Sequence, residues 1–332
     1  MATVKTMKPA SVANANSFEP TVTRQPTVSQ QPTAAARFVA WKRSLGTAWM
    51  LAYREWIRFF RQPFRVIAAL GQPILFWVLF GTGLHGAFRG ATPGEDFMTF
   101  FLPGTTALIL LFTAIFATIS IIEDRKEGFL QGVLVAPPAR WSIVLGKALG
   151  GAAIAWAQAM VFLGLALAVG TVPLTSQWFY LVLFLFLSAT AITSLGVCFA
   201  WPMDSTQGYH AAMNLVLLPM WLLSGAFFPI PLISANQPIG QWIFHWLMRC
   251  NPMTYIVGGI RHLLHGAATS TEINSVGSAI NASNTASVVA GSAKTAWVPE
   301  LGTCIGVTCL FAIAAIAIAT WMVQKRQKGE TV

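Results

Sequence analysis

The chain has 332 residues, of which 55% are hydrophobic and only 10% are charged, whereas a soluble domain carries about a quarter charged residues. The formal net charge of +10 does not indicate a nucleic-acid partner, because the basic residues flank apolar runs and lie in the loops between them. The high hydrophobic and low charged fractions predict an integral membrane protein. The four cysteines lack metal-binding or redox spacing, so no metal centre is predicted.

Residues 1–40 are predicted to form a disordered cytoplasmic tail. The first 36 residues are rich in Ala, Thr, Pro, Ser, Asn and Gln and contain no apolar run. They therefore lack the hydrophobic region of a signal peptide.

Residues 41–63 are predicted to form an amphipathic helix that lies in the membrane surface. At helical spacing, one face collects Leu45, Trp49, Ala52, Tyr53, Trp56 and Phe60. The opposite face collects Arg54, Arg58 and Arg61. The alternative is that this segment is a basic extension of the first membrane span.

Six apolar segments are long enough to cross a bilayer, which needs about 20 residues. They are 64–84, 98–122, 143–170, 178–201, 210–230 and 298–323. We expect a transmembrane domain over 64–325, with an external loop at about 267–297 and a cytoplasmic tail at 326–332. The fold class is therefore all-α with six transmembrane helices.

The distribution of Lys and Arg predicts the orientation of these spans. If the N-terminus is cytoplasmic, 17 of the 21 basic residues lie on the cytoplasmic side, and only Arg89, Arg249, Arg261 and Lys294 lie outside. Such a bias follows the positive-inside rule. Both termini are then cytoplasmic, in agreement with an even number of spans.

The segment 231–266, between the fifth and sixth spans, is apolar only in short pieces separated by Asn251-Pro252. A helical hairpin that re-enters the outer leaflet fits this pattern. The alternative, one broken spanning helix, would place the basic C-terminus outside.

The stretch 123–147 separates the second and third spans and is unusually charged. Glu123, Asp124 and Glu127 are placed to begin a short helix, whose dipole they would favour, and Pro137-Pro138 would end it. Lys147 is expected to extend back to the membrane interface. Between the acids and the prolines, an apolar stripe at helical spacing is formed by Phe129, Leu130, Val133 and Leu134. An ordinary positive-inside loop would explain the basic residues but not the acids, the apolar stripe or the prolines.

The spans contain few groups that could carry chemistry. No nucleophile, paired-carboxylate or phosphate-loop pattern is present, so any ATP that drives this protein would be hydrolysed by another chain. Gln158 and Asn214 are expected to bond to neighbouring helices, with a substrate path as the alternative. Gly146 and Gly150 have the G-x-x-x-G spacing that permits close helix packing.

Three ordered motifs resemble those of ABC-2 type transporter permeases. They are "EDRKEGFLQGVLVAPPARWSIVLGK" at 123–147, "LSGAFFPI" at 223–230 and "NPMTYIVGGIRHLL" at 251–264. The resemblance covers about 45–323 and is greatest to the drug- and lipid-export branch that includes daunorubicin-resistance permeases.

This resemblance implies a permease subunit of an ATP-driven exporter in the bacterial inner membrane. Such a subunit moves a hydrophobic or amphipathic substrate, a drug-like molecule or a lipid, out of the cytoplasm or the inner leaflet. It forms a homodimer or heterodimer with a second permease and binds a separate cytosolic ATP-binding subunit. It is not an enzyme and binds no cofactor itself, because ATP and Mg²⁺ are bound by the partner.

The resemblance also implies roles for individual residues. The coupling helix that docks on the ATP-binding subunit would contain Glu123, Asp124, Arg125, Glu127, Gly128, Phe129, Leu130 and Val133. The motif in the re-entrant hairpin would contain Asn251, Pro252, Tyr255 and Arg261. The transport path would lie between paired second and fifth spans, with Thr106, Thr113, Asn214 and Ser224 as candidates.

Two alternative functions remain open. Within the same family, the chain could export a polysaccharide or glycolipid. Outside it, the chain could be a membrane channel or an assembly factor that uses no ATPase. Co-purification with an ATP-binding protein would separate the second alternative from the first.

Overall fold

The structure, a computed structural model, describes residues 34–83, 97–129, 132–133, 139–172, 174–227, 230, 238–265, 297 and 299–329. All regular structure in these ranges is helical, which confirms the all-α prediction. The helices are α1 (Ala34–Phe60), α2 (Pro63–Gly83), α3 (Phe97–Lys126), α4 (Arg140–Ala168), α5 (Trp178–Ala200), α6 (Thr206–Trp221), α7 (Ile239–Arg249), α8 (Pro252–His265) and α9 (Leu301–Gly329).

Five of these helices are long and apolar enough to cross a membrane: α2, α3, α4, α5 and, over Leu301–Lys325, α9. They coincide with five of the six segments that the sequence predicts. The remaining segment, 210–230, contains α6, whose 16 residues rise about 24 Å and continue into a π-helical turn at Leu222–Ala226. The sixth crossing therefore stays a prediction.

Helix α3 forms the centre of the bundle. In its most apolar 18 residues 89% are buried, against 22% for α2 and α9, which present most of their apolar surface outward. The indole of Trp221 in α6 donates a hydrogen bond to the carbonyl of Gly104 in α3, at 2.7 Å. An element so enclosed can pass a displacement to every helix around it.

The glycines of α4 allow its neighbours to approach closely. A Cβ at Gly146 would lie 2.7 Å from the carbonyl oxygen of Ala48 in α1, and one at Gly150 would lie 2.9 Å from the Cα of Ala52. On another face, a Cβ at Gly151 would lie 2.6 Å from Thr193 in α5. The G-x-x-x-G spacing therefore has α1 as its partner, and α1 is packed against the bundle.

Helix α1 differs from its predicted limits. It begins at Ala34, inside the segment predicted as a tail, and residues 1–33 of that tail lie outside the described residues. Arg61 and Gln62 separate α1 from α2. The aromatic face is exposed as expected of an interfacial helix, with Trp49 at 73%.

The C-terminal helix extends beyond the predicted transmembrane domain. Helix α9 continues to Gly329, so the end of the transmembrane domain predicted at residue 325 falls within a helix. In the predicted external loop at 267–297, Trp297 is described, and its backbone N–H donates to the carbonyl of Ile230 at 3.0 Å. The rest of that loop lies outside the described residues.

Candidate docking segment and buried charge cluster

The charged stretch begins within α3, not as a separate helix. Glu123, Asp124 and Arg125 belong to the last turns of α3, and the chain leaves the helix at Glu127 and Gly128. The prediction that a short helix starts at Glu123 is therefore wrong, because the sequence has no helix-breaking residue before Gly128. Gly128 has a φ of 76°, the left-handed conformation that favours glycine.

Asp124 is fully buried and is held by side chains of α1. Arg54 donates to both of its carboxylate oxygens, to Oδ2 at 2.9 Å and to Oδ1 at 2.7 Å. Arg58 donates to Oδ1 at 2.6 Å. The hydrogen bond to Asp124 raises the pKa of the Arg54 guanidinium above its usual value, so this group stays charged. Paired hydrogen bonds of this kind fix orientation as well as charge.

Lys147 of α4 is buried beside the same carboxylate, with a side-chain exposure of 4%. Its ammonium group donates to Oε1 of Glu55 at 2.6 Å, to the hydroxyl of Ser120 at 3.2 Å and to Oδ2 of Asp124. The prediction that Lys147 reaches the membrane interface is therefore wrong. Carboxylates from α1 and α3 compensate its charge inside the protein, which is where a buried amine needs them.

Glu123 connects a further helix to this group. Its carboxylate accepts from Arg58 of α1 at 2.8 Å and from both terminal nitrogens of Arg65 of α2, one of them at 3.5 Å. We define the charge cluster as Arg54, Glu55, Arg58, Arg65, Glu123, Asp124 and Lys147. Its members come from α1, α2, α3 and α4, with four positive and three negative formal charges.

Arg125 is directed towards the connection between α5 and α6. Its guanidinium donates to the backbone carbonyl of Met203 at 3.1 Å and to the carboxylate of Asp204 at 3.3 Å. It also lies 5.4 Å from the ring centroid of Trp201. Three of the residues predicted to dock, Glu123, Asp124 and Arg125, are thus occupied with contacts inside the chain.

The exposed part of the charged stretch begins with the turn at Glu127 and Gly128 that follows α3, and Phe129, Gly132 and Val133 after it are helical. The side chain of Glu127 is 62% exposed, and the guanidinium of Arg54 lies 3.8 Å from the ring centroid of Phe129. A groove of about 1520 Å³ runs between this turn and α1. Among the residues that line it are Met50, Tyr53, Ile57, Glu127, Phe129 and Val133. Leu130 lies outside the described residues.

The four predicted path residues do not share one surface. Thr106 and Ser224 are buried and donate to backbone carbonyls of their own helical segments, at 2.9 and 2.5 Å. Thr113 donates to the side-chain oxygen of Gln158, which joins α3 to α4 as the helix-bonding prediction expects. Asn214 is exposed on α6.

The predicted hairpin motif lies at the opposite end of the bundle from the charge cluster. Pro252 begins α8, and the side-chain oxygen of Asn251 accepts from the backbone N–H of Met253 at 3.0 Å. The Tyr255 hydroxyl donates to the carbonyl of Arg249 at 2.9 Å. These bonds fix the break between α7 and α8.

Two residues of the same motif hold the end of α6. The amide of Asn251 donates to the carbonyl of Met220. Arg261 donates to the carbonyl of Gly225 at 3.1 Å, and its guanidinium lies 4.5 Å from the ring centroid of Phe100 in α3. Gly225 has a φ of 80°, which ends the helix and leaves carbonyls in need of donors.

Sequence reasoning missed the role of Glu55 and the inward position of Arg54, Arg58 and Lys147. The available signals were a single acid in an otherwise basic helix and a lysine inside an apolar span. Each signal fits many arrangements, because these residues of α1 lie 65 to 92 residues from their partners on α3 and α4.

Residues 47–265 match the family model described as "ABC-2 type transporter". The chain is 30% identical over 227 residues to the ycf38 protein of Cyanophora paradoxa, named as a transport permease, with 64% of this chain and 72% of the relative covered. It is 24% identical over 241 residues to the daunorubicin resistance ABC transporter permease protein DrrB1 of Streptomyces coeruleorubidus, covering 70% and 78%. It is 23% identical over 164 residues to YbhR of Escherichia coli K12, named as a multidrug ABC transporter permease, covering 49% and 43%.

Proposed function

Because this chain belongs to the ABC-2 type transporter family, we propose that it is the membrane permease of an ATP-driven exporter and that its ATP-binding subunit docks on residues 127–133. Permeases of this family are multi-pass membrane proteins without an ATPase domain, and they work with an ATP-binding subunit. The family predicted from the sequence is confirmed.

The observation that carries the docking proposal is the exposed turn at the end of a buried helix. Glu127 and Phe129 are accessible to a partner, whereas α3 behind them is enclosed by the bundle. A cytosolic subunit that grips this turn would act on the central helix directly. Gly128, with no side chain, allows a partner surface to approach the backbone closely.

Only some of the residues that the sequence predicts to dock therefore contact the subunit in this proposal. In this proposal Glu127, Gly128, Phe129 and Val133 touch the subunit, and Leu130, which lies outside the described residues, keeps the docking role that the sequence predicts for it. Glu123, Asp124 and Arg125 support the turn from inside. The apolar side of the groove along α1 supplies further contact area.

The topology belongs to the same proposal. We place residues 127–133, named the docking turn below, and both termini in the cytoplasm of a bacterium, with six crossings of its inner membrane. The positive-inside bias supports this orientation. Helices α7 and α8 form the re-entrant hairpin, and α7 exposes Trp242, Ile243 and Leu247, which suit contact with lipid. The hairpin residues Asn251, Pro252, Tyr255 and Arg261 keep its two helices on α6.

A second permease chain, identical or different, completes the transporter in this proposal. Asn214 is exposed between apolar residues of α6, and a polar side chain in a membrane span seldom faces lipid. A partner permease would cover it and place Asn214 at the path between the chains. Thr106, Thr113 and Ser224 would reach such a path only after the helices rearrange, since all three are buried.

For the substrate we propose a hydrophobic or amphipathic molecule, either drug-like or a lipid. Two relatives carry names that refer to daunorubicin resistance and to multidrug transport. ATP and Mg²⁺ would be bound by the partner subunit, and this chain would transmit the movement.

The test of docking is co-purification of the ATP-binding subunit with Gly128→Trp. We expect the variant to lose the subunit, because the indole would occupy the space of the approaching partner. Gly170→Trp is a matched control: Gly170 has a φ of 81°, has open space around it as Gly128 does, and lies at the opposite end of α4. Both variants carry the same backbone strain.

Charge reversal gives a second variant, Glu127→Lys. If Glu127 meets a basic group of the subunit, its loss costs about 2–5 kcal/mol, or roughly 30-fold to several-thousand-fold in affinity. Retention of the subunit by both Gly128→Trp and Glu127→Lys, with ATP hydrolysis of the complex unchanged, would show that residues 127–133 are not the docking site.

A further inference from the structure

The charge cluster is the strongest feature that the proposed docking does not use. Asp124 and Lys147 are almost completely buried, so they offer no surface to a partner or a substrate. Buried ion pairs are also poor sources of stability, because the cost of removing two charges from water offsets their attraction. What such a group supplies well is a fixed arrangement of the elements that contribute to it.

The geometry of the cluster forms a continuous connection from the docking turn to the third crossing helix, α4. Arg58 lies 3.6 Å from the exposed carboxylate of Glu127 and also binds Asp124. Asp124 binds Lys147, and Lys147 binds Glu55 back in α1. The chain of ion pairs thus closes into a ring over α1, α3 and α4, at the base of the turn.

Close packing beside this ring connects α1 to α4. Gly146 and Gly150 allow α1 to lie directly on α4, so a movement of either helix is transmitted without an intervening layer of side chains. The aromatic face of α1 points away from the bundle and does not hold the helix to it. Ion pairs of Arg54 and Arg58 connect α1 to the end of α3.

We infer that Asp124 and Lys147 are positioning residues that lock α1 and α4 to the end of α3, so that a displacement of the docking turn moves all three helices as one rigid body. This inference rests on the proposed docking of the ATP-binding subunit. The subunit would bind residues 127–133, and the charge cluster would transmit their displacement to α1, α3 and α4.

The test compares distances within one permease chain in the complete transporter in nanodiscs. The distance between spin labels at Trp49→Cys on α1 and Lys126→Cys at the end of α3 reports whether these two helices move together. Labels at Lys126→Cys and at Ile239→Cys, on α7 at the opposite end of the bundle, report the movement of α3 relative to a helix outside the charge cluster. The four native cysteines are replaced, and labelled chains are diluted with unlabelled permease.

The decisive variant is Asp124→Leu/Lys147→Met, which removes both positioning residues and with them the ion pairs of Asp124 to Arg54, Arg58 and Lys147. Glu55 keeps a positive neighbour, because Arg54 lies 3.6 Å from its carboxylate. Lys42→Met, the same lysine change on the exposed side of α1, is the control. On trapping the complex with ATP and vanadate, we expect the 126–239 distance to shift in all proteins. The 49–126 distance should stay constant in wild type and the control but change and broaden in the double variant.

Two distance results would overturn the inference in the complete transporter. One is a constant 49–126 distance in the double variant, because the cluster would then not be the lock. The other is a 49–126 distance that changes in wild type, because α1 and α3 would then not move together. Loss of the subunit from the double variant would also overturn it, since the cluster would then serve docking itself.

A measurement on the permease alone separates this inference from the proposed function. If the ATP-binding subunit fails to bind even wild type, the docking proposal fails, and the width of the 49–126 distribution still tests the lock. A narrow distribution in wild type and a broad one in the double variant would support the lock. Equal widths would overturn it.

Discussion

At the scale of the residue, Lys147 shows how a buried charge is kept in an apolar helix. The side chain lies among Glu55, Asp124 and Ser120, and each of these comes from an element other than its own. A lysine near the end of a membrane helix usually places its ammonium group at the interface. Here carboxylates on α1 and α3 satisfy it within the protein.

Lys147→Met should destabilise the permease strongly, because Glu55 would remain buried without its strongest partner. Removal of one member of a buried pair costs about 3–5 kcal/mol, whereas replacement of both by apolar residues is often neutral. We therefore expect a lower melting temperature in detergent for Lys147→Met and recovery of most of the loss in Glu55→Met/Lys147→Met. Equal melting temperatures of the single and double variants would contradict this account.

At the scale of the element, the packing of α1 on α4 depends on glycine. The backbone of α1 passes Gly146 and Gly150 at distances that leave no room for a side chain, and backbone atoms cannot rotate away. Helix α1 is thus attached to the bundle through close packing along its length and through the charge cluster at one point. Its exposed aromatic face is left for the membrane surface.

Gly150→Val should separate α1 from α4, because the new Cβ would lie 2.9 Å from Cα of Ala52 and 3.1 Å from its carbonyl oxygen. Overpacking of this kind costs about 1–3 kcal/mol. The control is Gly164→Val in the same helix, where an added Cβ meets no atom within 4 Å. Thermal unfolding in detergent should show a loss for Gly150→Val and none for Gly164→Val, and the idea fails if the two variants melt alike.

The elements differ in how well the sequence predicts them. Five crossing helices follow from apolar length alone, and the close approach at Gly146 and Gly150 follows from their spacing. The end of α3 could not be predicted in this way, because acids and an apolar stripe fit the continuation of a helix as well as the start of one. The pairing of Lys147 with Glu55 spans 92 residues, and no local pattern encodes it.

At the scale of the whole molecule, the ends of the bundle have different chemistry. The charge cluster and Arg125 lie at one end, and the exposed apolar residues of α7 lie at the other. Since basic residues stay on the cytoplasmic side of bacterial membranes, this asymmetry supports an orientation with the docking turn inside. The number of crossings then decides where the C-terminus lies.

Single cysteines in a background without native cysteines test this topology. Those at Ser11 and Lys328 should be protected from an impermeant thiol reagent in intact cells, because both termini would be cytoplasmic. One at Ser283, in the predicted external loop, should react. Strong labelling of Lys328→Cys would mean an odd number of crossings and would exclude the re-entrant hairpin.

Asp124 is buried and Glu127, three residues later, is exposed, so salt should affect these two carboxylates differently. Dissolved salt screens exposed charges over about 8 Å at 0.15 M and over about 3 Å at 1 M, but it reaches a fully buried carboxylate poorly. If the ATP-binding subunit docks on residues 127–133, concentrated salt would weaken its binding there, while the buried ion pairs of the charge cluster stay intact. A high-salt wash would therefore strip the ATP-binding subunit and leave a permease whose own helices have not moved apart.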